Sequence, residues 1–230
     1  MTQRAEARLA GYTYLGYIVF AMSAAVLSSK TTGGADTSQM LATLRSTIWI
    51  ARVTVLLDLL QIACAVVLAV TLYRLSKVVD ATLALIAMGF RFGEGLLGFL
   101  PLLGKLELMK LATDSNGLCA ASPGCLAVAS EIFKRPDDLF GQFCFVVGGF
   151  LFAYLLLAGR LIPRWMAWTG VITIGLQLIC VPLYVATILP GKVVNWLWFP
   201  ILLYEVPLGL WLIRKGVRET AESAPGKVLS

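Results

Sequence analysis

The chain has 230 residues, 59% of them hydrophobic and only 14% charged, with a net charge of +6 and no histidine. That balance lies far outside a soluble globular domain and describes a chain built for lipid. The missing histidine excludes His-ligated haem, His-rich di-iron sites, Ser-His-Asp hydrolysis and the usual zinc hydrolase ligands, so no metal is expected.

Six apolar runs stand out, at about 9–29, 47–73, 79–104, 138–159, 164–189 and 193–214. Each approaches or exceeds the roughly 20 residues that a helix needs to cross a bilayer. Sheet edges cannot be satisfied in hydrocarbon, so the runs are predicted to be helices. The expected fold is all-α: a polytopic membrane helix bundle with one domain over residues 1–218 and a short tail over 219–230. No 3+3 internal repeat of the kind found in many transporters is visible.

The first run follows Arg4 and Arg8 and ends in small residues, which is reminiscent of a cleavable signal. Its length and the sequence GYTYLGY fit a retained helix better, because a signal's apolar region is shorter. The segment TSQMLATLRS after it is expected to form a short interfacial helix. A sizeable loop, KLATDSNGLCAASPGCLAVASEIFKRPDD, separates the third and fourth runs, and its LAVASEIFK part is expected to be a second interfacial helix. Cys119 and Cys125 bracket AASPG, whose Pro and Gly favour a tight turn, so the two thiols are expected to meet as a disulfide in an oxidising compartment. The plainer alternative is two reduced thiols near the membrane surface. Cys64, Cys144 and Cys180 sit singly in the runs as small apolar residues.

Lys and Arg near helix ends mark the cytoplasmic side. Arg4, Arg8, Arg74, Lys77, Arg160, Arg164, Arg214, Lys215 and Arg218 fall on one side of an alternating six-helix trace, which puts both termini in the cytoplasm. The opposite side carries Lys30, Arg45, Lys105, Lys110, Lys134, Arg135 and Lys192, but also most of the acids. Topology therefore accounts for the net charge. No basic run interleaved with aromatics suggests nucleic acid as a partner.

The stretch AMGFRFGEGLLGFLPLL sets Arg91 and Glu94 inside the third run. Counting along straight helices from their cytoplasmic ends puts Arg91 about 17 Å deep, Glu94 about 21 Å, Gln61 about 20 Å, Asp58 about 24 Å, Glu205 about 14 Å and Gln177 about 20 Å. Four helices thus bring polar groups to one central layer. Asp58 with Gln61, and Arg91 with Glu94, are spaced i,i+3 and so share a helix face. Those faces are expected to turn inward, because an ionisable group facing lipid costs several kcal/mol. Pro200 and Pro207 bracket ILLYEV and free backbone carbonyls near Glu205. Three acids against one deep arginine leave an excess, so one acid is expected to hold a proton. The GxxxG spacing in GFRFG is read as close helix packing.

The segments RLAGYTYLGYIVF, DLLQIACAVVLAVTLYRLSKVVD, LALIAMGFRFGEGLLG, LIPRWMAWTGVITIG and YEVPLGLWLIRKGV together resemble the bacterial domain-of-unknown-function 4386 membrane family (DUF4386) over nearly the whole chain. The resemblance implies a six-helix protein of the bacterial cytoplasmic membrane in which Asp58, Arg91, Glu94 and Glu205 occupy motif positions. It supplies no established reaction, and the cysteine-bracketed loop is a local departure from it.

Three functions fit these residues. The first, and the reading preferred on the sequence, is a cyclase- or isomerase-type enzyme in which Glu94 or Asp58 acts as general acid on an isoprenoid or other lipid-like substrate, with Glu205 as a second acid or base and Arg91 setting the charge states. Small histidine-free membrane terpene cyclases are similar in size and in having buried acids, without a shared motif. Gln61, Phe90, Gln177, Trp198 and Tyr204 would line the substrate, and aromatic faces, with Tyr14, Tyr17, Phe92, Phe99 and Trp196 in addition, would shelter a carbocation. Those rings have a commoner use as core or interfacial belt. The second is a proton-coupled carrier of a small molecule, whose small size favours a homo-oligomer. The third is a structural or regulatory membrane subunit whose buried charges fix helix register. No nucleotide loop or dinucleotide fingerprint is present, so no cofactor is expected in any of the three.

Overall fold

The computed structural model describes residues 2–113, 122–134 and 139–217. Among them lie nine helices: α1 (Gln3–Thr31), α2 (Thr37–Ser46), α3 (Ile48–Ser76), α4 (Ala81–Leu97), α5 (Phe99–Thr113), α6 (Pro123–Lys134), α7 (Leu139–Ala158), α8 (Arg164–Val185) and α9 (Gly191–Arg214). Six spans are long and apolar enough to cross a membrane, with α4 and α5 together making the third, Ala81–Thr113. They coincide with the six apolar runs. The break in the third span falls at Gly98, and helix continues to Thr113, into residues expected to be loop. The two short segments expected to be helical are α2 and the larger part of α6. Cys119 lies outside the described residues, and with it the expected Cys119–Cys125 bridge.

Local chemistry accounts for the helix ends. Asp36 caps α2 by accepting the Gln39 backbone N–H at 2.8 Å, while the Gln39 side chain accepts the Ala35 N–H at 3.0 Å, a reciprocal arrangement that satisfies two otherwise orphaned donors. Asp80 caps α4 through the Leu83 N–H at 2.8 Å. Pro163 and Pro190 precede α8 and α9, positions where a missing N–H costs nothing. Arg160 adopts a positive φ of 52° in the turn between α7 and α8.

The chain divides into two compact units. One comprises Met1–Leu15, Ala65–Glu94 and Phe140–Ser230; the other comprises Gly16–Cys64 and Gly95–Leu139. In the first, Ala7, Ala10, Ala65, Ala69, Ala84 and Ala87 are buried, as suits helices that associate in lipid through small residues rather than through hydrophobic collapse. Here α8 packs along α9. In the second unit, α2, α5 and α6 pack together around Leu41, Leu44, Leu108, Ala129 and Ile132.

The pattern of burial is inverted relative to a water-soluble protein. Arg91 is 2% exposed while Leu203 and Ile172 are 69% and 63% exposed. An outer surface of Leu, Ile and Trp with charge inside is the arrangement that lipid requires.

Candidate functional site

Arg91 lies in α4, within the first unit, and is buried. Its Nη1 meets the Glu94 Oε2 at 2.6 Å, one turn along the same helix. The guanidinium sits over the Phe145 ring of α7, 4.7 Å from its centroid, a cation–π contact made in a dry setting. Phe145 in turn rests against Trp198 of α9 with ring centroids 5.2 Å apart. Space for the arginine stem comes from Gly148 on α7, where an added Cβ would stand 2.9 Å from both the Ala87 carbonyl and the Arg91 Cγ. In GFRFG, Gly93 comes near Cys144, whereas Gly89 has no neighbour within 4 Å, so close packing holds at one glycine of the motif and not the other.

Glu205 projects from α9 and is 4% exposed. Its carboxylate accepts a hydrogen bond from the Tyr14 hydroxyl of α1 at 3.1 Å. Arg91 and Glu94 are both near enough to act on it electrostatically. The crossing of α1 and α9 makes the Tyr14 contact: an added Cβ at Gly11 would lie 2.6 Å from the Gly209 carbonyl oxygen, so the two backbones touch there. Tyr14 is three residues beyond Gly11 on α1 and Glu205 is four before Gly209 on α9, which sets the two side chains one turn from the contact point. Tyr204, next to Glu205 in sequence, turns away and lays its ring on Gly170 of α8, where a Cβ would meet the ring at 2.6 Å.

The profile of a domain of unknown function, DUF4386, matches residues 9–216. The chain belongs to the DUF4386 family. The match covers the site, most of the first apolar span and the whole of the other five, and the protein is a multi-pass membrane protein. Comparison with curated proteins and with solved structures returned no match.

The remaining expected site residues of this DUF4386 protein are distributed as follows. Asp58 of α3 lies in the second unit and forms an ion pair with Lys105 of α5 at 2.6 Å. Lys105 had been assigned to the outer connections; the break at Gly98 and the long lysine stem bring it to Asp58. Gln61 is half-buried on α3, also in the second unit. Gln177 of α8 is fully buried and its amide donates to the Val194 carbonyl of α9 at a long 3.5 Å. Phe90 packs edge-on to Phe143 with centroids 6.4 Å apart.

Two participants in the site, and one ion pair apart from it, were not given their roles by the sequence reading. Phe145 carried no signal, being one phenylalanine in an apolar run. Tyr14 was counted only as an aromatic face. Glu6, near the start of α1, is 7% exposed and pairs with Arg74 at 2.5 Å. The i,i+3 spacing of Arg91 and Glu94 was the signal that did find its pair.

Proposed function

We propose that this protein is a proton-coupled carrier of a small solute in the bacterial cytoplasmic membrane, with both termini in the cytoplasm and Glu205 as the group that takes up and releases the proton. One observation carries the reading. Two buried carboxyls, Glu94 and Glu205, share the field of one buried guanidinium, and the direct hydrogen-bond partner of Glu205 is a neutral phenol. Glu94 answers Arg91 at contact distance. Glu205 is thereby the acid in excess, and an uncompensated carboxylate in such a setting is held by a proton. Pro200 and Pro207 interrupt the backbone bonding of α9 on either side of it, which favours bending of that helix during a transport cycle.

The test is proton entry into dye-loaded proteoliposomes of the full chain, challenged with small carboxylates, amines and amides in turn. Solute-dependent entry that falls to the level of empty liposomes in Glu205→Gln is the expected result. Entry identical in wild type, Glu205→Gln and empty liposomes would overturn the reading.

A second reading uses the same acid: a membrane-embedded cyclase or isomerase that protonates an isoprenoid or lipid-like substrate. The Phe145–Trp198 ring pair beside the charges favours it, since aromatic faces shelter carbocations. Against it, Arg91 already covers Phe145, and the Tyr204 ring is seated on Gly170. Lipid extracts from cells fed labelled isoprenoid precursors decide: a product made by wild type and lost in Glu205→Gln selects the enzyme over the carrier.

A further inference from the structure

Charge is divided unevenly between the two units. The sequence of the second contains seven Lys and Arg and seven Asp and Glu, so the whole net charge of +6 resides in the first. Within the first unit Arg91 is buried, and Arg74 is taken by Glu6 at 2.5 Å. The remaining described cations of that unit, Lys192 apart, are exposed at the start of α1, after α3, between α7 and α8, and at the end of α9. Three contacts tie these ends into one face. Glu6 with Arg74 joins α1 to α3. An added Cβ at Gly216 would meet the Ala7 Cβ at 3.7 Å, which joins the end of α9 to α1. One at Gly159 would strike the Val79 side chain, which joins the α7–α8 turn to the α3–α4 turn.

The junction of those two turns concentrates the charge. Lys77 belongs to one turn, and Arg160 and Arg164 stand in and just after the other; all three are exposed, and none forms an ion pair among the described residues. The only acid of the two turns, Asp80, has its carboxylate on the Leu83 N–H at 2.8 Å. Arg160 holds a φ of 52°, which glycine adopts freely and a residue with a Cβ does not. Leu161 and Ile162 after it are buried. The turn sets two apolar side chains inward and leaves a cation outside, and no hydrogen bond or ion pair of that arginine among the described residues offsets the strain. Trp165 and Trp168 follow on α8, 63% and 52% exposed. Exposed tryptophan beside exposed arginine at the end of an apolar span is the composition of a lipid headgroup layer.

We propose that the junction of the α3–α4 and α7–α8 turns binds an anionic phospholipid, its phosphate received by Lys77, Arg160 and Arg164 and its acyl chains lying along the apolar spans. The surface has two parts, cations at the turns and hydrocarbon-facing side chains directly below, and a ligand with an anionic head and an apolar tail answers both. Guanidinium matches phosphate geometry, which favours this head over a simple carboxylate. A zwitterionic lipid brings its own cation and loses most of the attraction. The inference is independent of the carrier reading.

The experiment is native mass spectrometry of the full chain released from nanodiscs made of equal parts phosphatidylglycerol and phosphatidylcholine. Wild type is expected to retain the anionic lipid several-fold over the zwitterionic one, and less so as sodium chloride is raised. Lys77→Gln, Arg160→Gln and Arg164→Gln combined should retain the two equally. Lys30→Gln, Arg45→Gln and Lys110→Gln combined remove the same charge from the second unit and should leave the preference as in wild type. Arg160→Gly separates folding from binding: glycine suits that φ, so this variant should unfold no more readily than wild type and yet retain less anionic lipid. Equal retention of both lipids by wild type, or an undiminished preference in the first triple variant, overturns the proposal. Equal losses in the two triple variants also overturn it, because general attraction to a basic chain would then suffice. Displacement of the lipid by glycerol phosphate overturns it in favour of a soluble phosphate.

Discussion

Two of the ion pairs inside apolar spans, Arg91–Glu94 and Lys105–Asp58, are built on opposite plans. Arg91 and Glu94 belong to one helix, one turn apart, with side chains 2% and 9% exposed. Lys105 and Asp58 come from different helices, with side chains 33% and 17% exposed. The first pair is made as soon as α4 forms, and Phe145 and Gly148 then enclose it. The second depends on tertiary packing. A pair fixed by helix geometry and sealed by neighbours suits a permanent countercharge, whereas a partly exposed pair between helices suits a contact that breaks and re-forms. Breaking each in turn tests that division.

The largest effect is expected from Glu94→Gln. It leaves the Arg91 guanidinium buried without its carboxylate, and breaking a buried pair from one side costs about 3–5 kcal/mol. Thermal unfolding in detergent should show a large loss of stability. Most of it should return in Arg91→Met combined with Glu94→Gln, because removing both charges removes the stranded one. A Glu94→Gln protein as stable as wild type would mean that the pair is not the enclosed countercharge described.

Gly11→Ala comes next. Its Cβ would stand 2.6 Å from the Gly209 carbonyl, so α1 and α9 must separate, at a cost of about 1–3 kcal/mol. The same shift lengthens the Tyr14–Glu205 bond, so the infrared carboxyl band of Glu205 should move as it does in Tyr14→Phe. Gly16→Ala on the same helix is the control: its nearest neighbours are at 3.7 Å, ordinary contact, and the change should be neutral or stabilise α1 by up to about 1 kcal/mol. Equal losses in both would break the link between the glycine crossing and the site.

The two regions also differ in how far the sequence foretold them. Six spans were legible because lipid imposes length and hydropathy on each helix separately. The Arg91–Glu94 pair was legible for a related reason: it needs only helical periodicity. Glu205 could be placed at depth, yet not given its partner, because Tyr14 reaches it only where Gly11 and Gly209 let two backbones touch. Asp58 was grouped with Arg91 by counting along straight helices. The count missed Lys105 because the third span breaks at Gly98, and a helix break changes both depth and facing for every residue after it.

Lys105→Gln should cost less stability than Glu94→Gln, because the side chains of its pair are 33% and 17% exposed rather than 2% and 9%. A Lys105→Gln protein that unfolds as readily as Glu94→Gln would place both pairs in the same structural class and remove the reason to treat one as exchangeable.

Asp36 extends the comparison to an acid held by neutral donors rather than by a cation among the described residues. It is fully exposed ahead of α2, and the Gln39 backbone N–H, followed by the Ser38 hydroxyl, holds its carboxyl below its ordinary value of 3.8. A carboxyl lowered in the folded state contributes its full stabilisation above the unfolded value and loses it as pH falls through the folded one. The α2 cap should thus be intact at neutral pH and weaken only as the pH drops below 3.8, towards the lowered value. Hydrogen exchange at the first turn of α2 is the measurement. Faster exchange on acidification in wild type, and fast exchange at every pH in Asp36→Ala, is expected, with the Arg91 region unaffected. If acid instead loosens the Arg91 region before α2, Glu94 is the more accessible of the two acids, and the enclosed countercharge is open to protons from outside.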